Sequence, residues 1–444
     1  MSILTDAAQA MQTVLTTGAE QAARDSGFSR RKSPLSGATF TQALVFGCIA
    51  QPQPTLEDFA HAAAALGHPV TVQALDQRFT PQAAACLQEV LAHAVTQVVA
   101  SEPLALPLLN RFTGVYVLDS TGITLPSALK ELWPGCGGRT PETVPAALKF
   151  QFRCELRSGQ FSGPLPTPGR SSDQGSELQL EQLPSGSLRI ADLGFFELAR
   201  FQEIQDDQAF WLSRWLRGTA VFTPQGERLG VVAFLAQQTG TVLDLPVLLG
   251  AKPRMACRLI AVRVPPAVAK LRRQRLRKKA QKTQTKVNQE QWQLCAWTIV
   301  VTNLPQALLR VAEALVLLRI RWQVELVFKL WKSEGHLDES RSEAPWRVLS
   351  ELWAKMLAQV VQHWVLVTAC WSRADRSLRK AAKAVQKHGL SLARALRCGV
   401  EALCAELAEI VVCLSKSARI TKRKKNPSAF QLLQDPALLE DSLT

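Results

Sequence analysis

The sequence predicts a mixed α/β protein, in which a central α/β region carries a mainly β segment and is flanked by helical regions. Apolar residues recur at helical spacing before residue 105 and again after Pro305. Short runs rich in β-branched residues, bounded by Pro, Gly and Ser, occupy the middle of the chain. The 444 residues are 47% hydrophobic and 20% charged, so the chain can bury a sizeable core and form more than one domain.

Residues 1–105 are predicted to form a helical domain, because Ala, Leu, Val and Gln dominate its periodic segments. Within it, residues 68–81 form a short amphipathic helix after a turn. This segment is either an ordinary surface helix or the recognition helix of a helix-turn-helix motif. The motif is loose, which favours the surface helix.

The central region is predicted to alternate strands with a helix. The helix covers residues 195–207. Two of the predicted strands end on an aspartate, Asp119 and Asp192 respectively. The strand candidates cover residues 115–120, 149–156, 187–194 and 209–215.

Residues 216–303 consist of short strand-like pieces separated by turns, which predicts a mainly β segment. A basic run over 270–286 lies inside it, and we interpret this run as either a disordered loop or a loop that grips phosphate groups. The pattern after Pro305 is helical to about residue 415, and a second basic cluster follows at 416–428.

The charge balance predicts a polyanionic partner. Lys and Arg total 52 against 37 Asp and Glu, a formal net charge of +15 with a pI near 9.6. Nucleic acid is the first candidate. No apolar stretch reaches the roughly 20 residues that span a bilayer, and the first residues lack the features of a signal peptide. We therefore expect a cytoplasmic protein without a membrane partner.

The cysteines and histidines offer no metal site or nucleophile pair. The ten cysteines are scattered, without the close pairs that begin a zinc site, and the six histidines are equally dispersed. The single tyrosine, Tyr116, lies in a predicted strand, which argues against a tyrosine recombinase. Any chemistry must therefore come from carboxylates and cations.

The most informative segment covers residues 319–338, a predicted helix. Four charged residues lie within an arc of about 80° on one face: Arg321, Glu325, Lys329 and Lys332. Taken alone, this pattern favours ion pairs within the helix. Combined with the two strand-end aspartates it suggests more, because three converging carboxylates can hold two Mg²⁺ ions for phosphoryl transfer. The residue types indicate a nuclease or transposase centre.

From about residue 110 to 370 the sequence resembles the DDE transposases of the insertion-sequence-four group. The motif VYVLDST matches the segment of the family's first catalytic aspartate, and RIADLGFFELARFQEI matches that of the second. The signature Tyr-x2-Arg-x3-Glu-x6-Lys is matched at Arg321, Glu325 and Lys332, with Leu318 at the tyrosine position. In the family that tyrosine contacts DNA, so this departure affects one phosphate contact and not the catalytic acid.

The resemblance implies a ribonuclease H-like core interrupted by a mainly β insertion. It implies that Asp119, Asp192 and Glu325 are catalytic and hold two Mg²⁺ or Mn²⁺ ions. DNA would be contacted at phosphates and, if hairpin ends form, at a flipped base. The DNA-binding residues would be Arg321, Lys329 and Lys332 for the phosphates, and Trp297 and Trp322 for base stacking. Trp297 is equally compatible with a core position in a strand.

The implied activity is metal-dependent cleavage at element ends and strand transfer into target DNA, a cut-and-paste reaction. The partners would be the terminal inverted repeats, target DNA and a second copy in a homodimer, in the nucleoid of a bacterium. A metal-dependent nuclease without strand transfer and a catalytically silent DNA-binding protein remain alternatives. The expected division is a DNA-binding domain at 1–105, core parts at 106–215 and 304–375, an insertion at 216–303 and a basic helical region at 376–444.

Overall fold

The computed structural model describes residues 2–435 except 31–32, 138–142, 253, 321–326, 374 and 421–428. The chain divides into two compact units, each built from three separate stretches. The first unit contains Met1–Leu104, Asp119–Ser172 and Val324–Lys422. The second contains Ala105–Leu118, Asp173–Gln323 and Arg423–Thr444. The predicted five-part division therefore stays a prediction.

The described strands form one mixed sheet in the order β3-β2-β1-β4-β5-β9-β8-β7-β6. β1 pairs in parallel with β4, and β4 in parallel with β5, whereas β2–β3 and the pairs from β5–β9 onward are antiparallel. The predicted fold class is confirmed: a ribonuclease H-like core with an insertion between β5 and β9. The strands are β1 (Val115–Leu125), β2 (Ala146–Glu155), β3 (Phe161–Pro168), β4 (Leu188–Ala191), β5 (Phe210–Arg214), β6 (Val221–Phe222), β7 (Val242–Leu249), β8 (Met255–Arg263) and β9 (Trp297–Thr302).

The first unit carries the N-terminal helices and the helices between Pro345 and Lys416. Serine and threonine side chains cap several of their first turns, which satisfies backbone N–H groups that have no partner inside the helix. The helix predicted over 68–81 is shorter in the structure and covers only Val72–Asp76. The other helices are Ile3–Thr13, Ala19–Asp25, Gly37–Ala50, Leu56–Ala65, Pro81–Val95, Pro345–Leu366, Leu378–Lys387, Gly389–Cys398 and Val400–Lys416.

The Pro345–Leu366 helix is the centre of the first unit, since nearly all its residues from Leu349 onward are buried. It packs against the Gly37–Ala50 and Pro81–Val95 helices. Trp353 is fully buried on it, with its ring 5.9 Å from those of both Trp133 and Phe150. Large edge-on aromatic contacts of this kind fix β2 to the helical layer.

In the second unit, the Leu198–Asp206 and Val311–Ile320 helices pack against β5, and the Gln289–Leu294 helix packs against β9. Two segments differ from the sequence prediction. Residues 270–282 of the basic run expected to be a loop belong to a continuous helix, Pro266–Lys282. The apolar run at Val231–Gln237 is a helix instead of a strand. The remaining helices are Glu177–Leu180, Leu198–Asp206, Gln289–Leu294, Val311–Ile320 and Ala429–Gln434.

The basic run is helical because its few apolar residues repeat at helical spacing. Ala269, Leu276 and Ala280 lie on one face, Ala269 and Ala280 are buried, and Leu276 is half-buried. Pro266 occupies the first turn, where its missing N–H costs nothing. The density of charge in this run obscured a narrow apolar stripe.

Each unit joins segments that are far apart in sequence. In the first unit, the Ile3–Thr13 helix packs against the Val400–Lys416 helix. In the second, the Ala429–Gln434 helix packs against the Val311–Ile320 helix, and Leu432 and Leu433 are buried. All ten cysteines are free. Among the described helices, none has the length and apolar character needed to cross a membrane.

Candidate active site

Asp119 and Asp192 each follow the last residue that pairs β1 with β4. Val115–Leu118 pair in parallel with Leu188–Ala191, and the register ends with Leu118 opposite Ala191. Asp192 comes directly after the end of β4, as predicted. Asp119 does not end its strand as predicted, because β1 continues to Leu125. The N–H of Ser120 donates to Asp119 Oδ1 at 2.8 Å, and both aspartates are half-buried.

The turn after Asp192 is held from its buried side. A short 3₁₀ turn covers Leu193–Phe195, and Phe195 packs with Leu118 and Ala191 in a small apolar cluster. Arg189, which is 2% exposed, donates to the carbonyl oxygen of Phe195 at 3.3 Å and to Gln179 Oε1 at 2.6 Å. These contacts restrict the backbone that positions Asp192.

Gly194 in this turn allows a close approach that a larger residue would prevent. A Cβ atom there would lie 2.6 Å from Asp173 Oδ2, closer than real Cβ atoms approach another atom. Glycine at position 194 therefore leaves room for the Asp173 carboxylate beside the turn, and a Cβ atom there would require that side chain to move.

Of the remaining predicted residues, Arg321, Trp322 and Glu325 lie outside the described residues. The segment that follows them belongs to the first unit and is firmly packed. Trp331 is buried, and its ring centroid lies 5.2 Å from that of Phe152 on β2. The chain over Leu330–Glu334 is a π-helical turn, a distortion that frequently occurs at functional sites.

Lys329 and Lys332 have different surroundings. Lys329 is exposed, whereas the ammonium group of Lys332 donates to the carbonyl oxygen of Gly122 at 2.8 Å. Gly122 lies on β1, three positions beyond Asp119. Within the first unit, the structure therefore brings Lys332 against the strand that carries Asp119.

The end of this segment is held by charged groups that the sequence did not reveal. Glu334 accepts from Arg379, and Lys383 Nζ lies 3.3 Å from its other carboxylate oxygen. Both cations belong to the Leu378–Lys387 helix. Buried Lys355 donates to the carbonyl oxygens of His336 and Glu339 at 2.9 and 2.6 Å. These contacts fix the chain after the π-helical turn.

In the second unit, the Val311–Ile320 helix is anchored by a buried carboxylate in its first turn. Glu313 is 1% exposed and forms a two-pronged ion pair with Arg111, with distances of 2.8 and 2.9 Å. Arg310 adds a backbone N–H donor at 2.8 Å and a guanidinium donor at 3.0 Å. Burial alone would raise the pKa of Glu313, but these donors lower it to about 2.

Trp297 lies in the core of the second unit. It is 6% exposed, and the guanidinium of Arg263 lies 4.4 Å from its ring centroid. Its carbonyl oxygen accepts from Arg272 at 2.8 Å. Burial lowers the pKa of Arg272, and the nearby charge of Arg214 lowers it further. The predicted alternative for Trp297, a strand-core position, matches this placement.

The donor set of the predicted site suits a hard divalent cation. Carboxylate oxygens are the ligands that Mg²⁺ and Mn²⁺ prefer, and no cysteine or histidine is among the three acids. No cluster of three or more acidic, cysteine or histidine residues that could hold a metal occurs among the residues that the structure describes, and Glu325 lies outside that part. The oxygen ligands of Asp119, Asp192 and Glu325 therefore suit a Mg²⁺ or Mn²⁺ ion.

The fold and a family match define the class of this protein. The ribonuclease H-like sheet and a family match over residues 110–361 together define an enzyme that acts on DNA by phosphoryl transfer. Enzymes of this class generally use divalent metal ions. The chain belongs to the transposase DDE domain family, whose model covers those residues.

Curated relatives carry transposase names. The transposase for insertion sequence element IS231F of Bacillus thuringiensis subsp. israelensis is 26% identical over 363 residues, 76% of this chain and 75% of the relative. The transposase for IS231B of B. thuringiensis subsp. berliner is 23% identical over 443 residues, 93% of this chain and 91% of the relative. That for IS1151 of Clostridium perfringens is 22% identical over 368 residues, covering 78% and 77%. The predicted family and enzyme class are confirmed.

Proposed function

We propose that this transposase cleaves DNA at the ends of its own element and joins the freed ends to target DNA, a cut-and-paste reaction. Asp119, Asp192 and Glu325 are the proposed catalytic residues. The observation that carries the assignment is the β1–β4 register, in which two acids follow the last pair of neighbouring parallel strands. Ligands commonly bind where adjacent parallel strands of an open α/β sheet end their pairing.

The same three carboxylates are the proposed ligands of two Mg²⁺ or Mn²⁺ ions. When bound, such ions activate an attacking oxygen and stabilise the leaving oxygen of an in-line phosphoryl transfer. The protein's own contribution is positional. Arg189 and Gly194 fix the turn after Asp192, and Lys332 joins its segment to β1 through Gly122.

Contacts to DNA are proposed for three cations and two tryptophans. Arg321, Lys329 and Lys332 bind the phosphates that flank the scissile bond. If cleavage produces hairpin ends, Trp297 or Trp322 stacks on a flipped base. For Trp297 this role requires movement of Arg263, whose guanidinium covers one side of the ring.

The proposed partners are the terminal inverted repeats, the target DNA and a second copy of the chain. Recognition of the ends is assigned to residues 1–105 and to the insertion at 216–303. Residues 376–444 are the proposed contact between copies. The core is proposed to comprise 106–215 and 304–375, and the site of action is the nucleoid in the cytoplasm of a bacterium.

A cleavage and joining assay tests the proposal. The protein is incubated with duplex DNA carrying the element end, target plasmid and Mg²⁺, and nicked and joined products are separated. The substitutions Asp119→Asn, Asp192→Asn and Glu325→Gln should each abolish both products, because each removes a negative charge from the metal ligands. Asp206→Asn and Glu343→Gln are controls, since both side chains are exposed.

The outcomes distinguish the proposal from its rivals. Nicked products without joined products would support a nuclease that lacks strand transfer. Binding without either product would support a catalytically silent DNA-binding protein. Full activity in EDTA would contradict the metal assignment, and unchanged cleavage by Glu325→Gln would contradict that residue's role.

A further inference from the structure

The second unit carries a strongly basic helix that the proposed active site does not use. The Pro266–Lys282 helix has the sequence PAVAKLRRQRLRKKAQK, with eight cations and no acid. We propose that its exposed face binds the phosphate backbone of double-stranded DNA. This inference deepens the proposed function and rests on it, because it assigns a DNA contact to an element outside the catalytic residues.

One face of the helix is fixed to the body of the second unit. Ala269 and Ala280 are buried. Arg272 extends to β9, where it donates to the carbonyl oxygen of Trp297 at 2.8 Å and to Thr298 Oγ1 at 2.9 Å. A helix held by buried residues and charge-assisted hydrogen bonds presents its opposite face in a defined orientation.

A second attachment involves a tryptophan from the next helix. The guanidinium groups of Arg273 and Arg277 lie 5.2 and 4.5 Å from the ring centroid of Trp292. Arg273 also donates to the carbonyl oxygen of Trp292 at 3.4 Å. Three of the eight cations therefore attach the helix to the fold, and five remain for another role.

The five remaining cations lie on the outward side and are exposed. None of them forms an ion pair with a carboxylate in the part of the chain that the structure describes. At about 100° per residue they cover roughly half of the circumference, opposite the buried stripe. They are Lys270, Arg275, Lys278, Lys279 and Lys282.

Repulsion between these cations destabilises the helix when no anion is bound. Arg275 and Lys279, and Lys278 and Lys282, are like charges four residues apart, and each such pair costs about 0.2–0.5 kcal/mol. The cations near the helix C-terminus interact favourably with the helix dipole, which offsets part of this cost. Binding of a polyanion removes the repulsion altogether.

The dimensions and composition favour duplex DNA over single strands. From Lys270 to Lys282 the helix rises about 18 Å, a length over which a DNA duplex presents about ten phosphate charges. Proteins that bind single strands place aromatic side chains among the cations for base stacking. The outward residues of this helix include Leu271 and Gln274 and no aromatic residue.

The test measures binding to a duplex of arbitrary sequence in EDTA, by fluorescence anisotropy, from about 50 to about 200 mM salt. The full chain is compared with K278Q/K282Q, which removes two outward charges. The slope of log K against log salt should become shallower by about 1.8, since each lost phosphate contact on B-DNA contributes about 0.9. Adding K270Q and R275Q should bring the change to about 3.6.

The matched control is R341Q/R373Q, which removes two charges from exposed side chains outside the regions proposed to recognise DNA ends or to join two copies. Its slope should stay within about 0.5 of the wild-type value. Equal changes in K278Q/K282Q and the control would overturn the proposal, because net charge alone would then explain binding. An unchanged slope in K278Q/K282Q would overturn it as well. Circular dichroism confirms that each variant is folded.

Failure of this proposal and failure of the proposed active site are distinguishable. Asp119→Asn should abolish cleavage and leave the salt slope unchanged. K278Q/K282Q should need a higher DNA concentration to reach half-maximal cleavage, because it binds the duplex more weakly. If Asp119→Asn cleaves normally while K278Q/K282Q has a shallower slope, the catalytic assignment is wrong and the helix surface stands.

Discussion

Glu313 provides a quantitative test of what anchors the Val311–Ile320 helix. The substitution Glu313→Gln keeps the size of the side chain and removes its charge. The wild-type carboxylate is 1% exposed and its pKa is lowered from 4.5 to about 2. At roughly 1.4 kcal/mol per pKa unit, this difference corresponds to about 3 kcal/mol of stability at neutral pH. The partners Arg111 and Arg310 are 34% and 68% exposed, so solvent screening reduces the expected loss to about 2 kcal/mol.

The sign of the pH dependence follows from the lowered pKa. The stabilisation by Glu313 is complete above the unfolded pKa of 4.5 and is lost as the pH falls through the folded value of about 2. The difference in unfolding free energy between wild type and Glu313→Gln should therefore decrease from about 2 kcal/mol at neutral pH to under about 1 kcal/mol near pH 3.

Urea unfolding at both pH values measures this difference. The control is Glu290→Gln, which removes a surface ion pair with Arg217; these two side chains are 57% and 45% exposed. It should change stability by less than about 1 kcal/mol at neutral pH. If Glu313→Gln destabilises the protein equally at both pH values, the charge of Glu313 contributes nothing and the reasoning is refuted.

Three further predictions concern the first unit. Burial lowers the pKa of His363 to about 4, although its hydrogen bond to Gly159 opposes this shift. The free energy of unfolding should therefore fall by up to about 3 kcal/mol as the pH drops from 6.5 to 4, because the unfolded chain takes up the proton first. In urea unfolding, His363→Gln should remove that loss, and an unchanged pH dependence would contradict the assignment. Glu334→Gln removes the partner of Arg379 and should slow cleavage at saturating DNA without weakening DNA binding. Weaker DNA binding with a normal cleavage rate would exclude a role of Glu334 in positioning the segment that contains Lys332. Trp353→Ala should cost about 3–5 kcal/mol in thermal unfolding, and a loss below about 1 kcal/mol would show that the site repacks.

The sequence predicted most strands because their apolar residues stand out between turn residues. β3 was missed, and its composition explains why. Phe161–Pro168 contains Pro164 and Pro166, residues that normally argue against a strand. β3 is at the edge of the sheet, where proline is tolerated because an outward backbone N–H needs no partner. Edge position depends on the whole topology and cannot be read from a local pattern.

Residues that support the candidate site were not predictable for a related reason. Asp119 and Asp192 stand in motifs of consecutive residues, whereas Arg111 and Glu313 are 202 positions apart. Lys355 donates hydrogen bonds to the backbone carbonyl oxygens of His336 and Glu339, groups that every residue possesses. A sequence pattern carries no trace of such partners, since the contact exists only after the chain has folded.

The pairing of distant segments in both units affects how the protein forms during synthesis. The Ile3–Thr13 helix leaves the ribosome early, but its partner, the Val400–Lys416 helix, emerges only after some four hundred further residues. The partner of the Val311–Ile320 helix, Ala429–Gln434, follows later still. A nascent chain therefore lacks both finished units until these last helices appear, and a product truncated before residue 400 lacks the surfaces that complete either one.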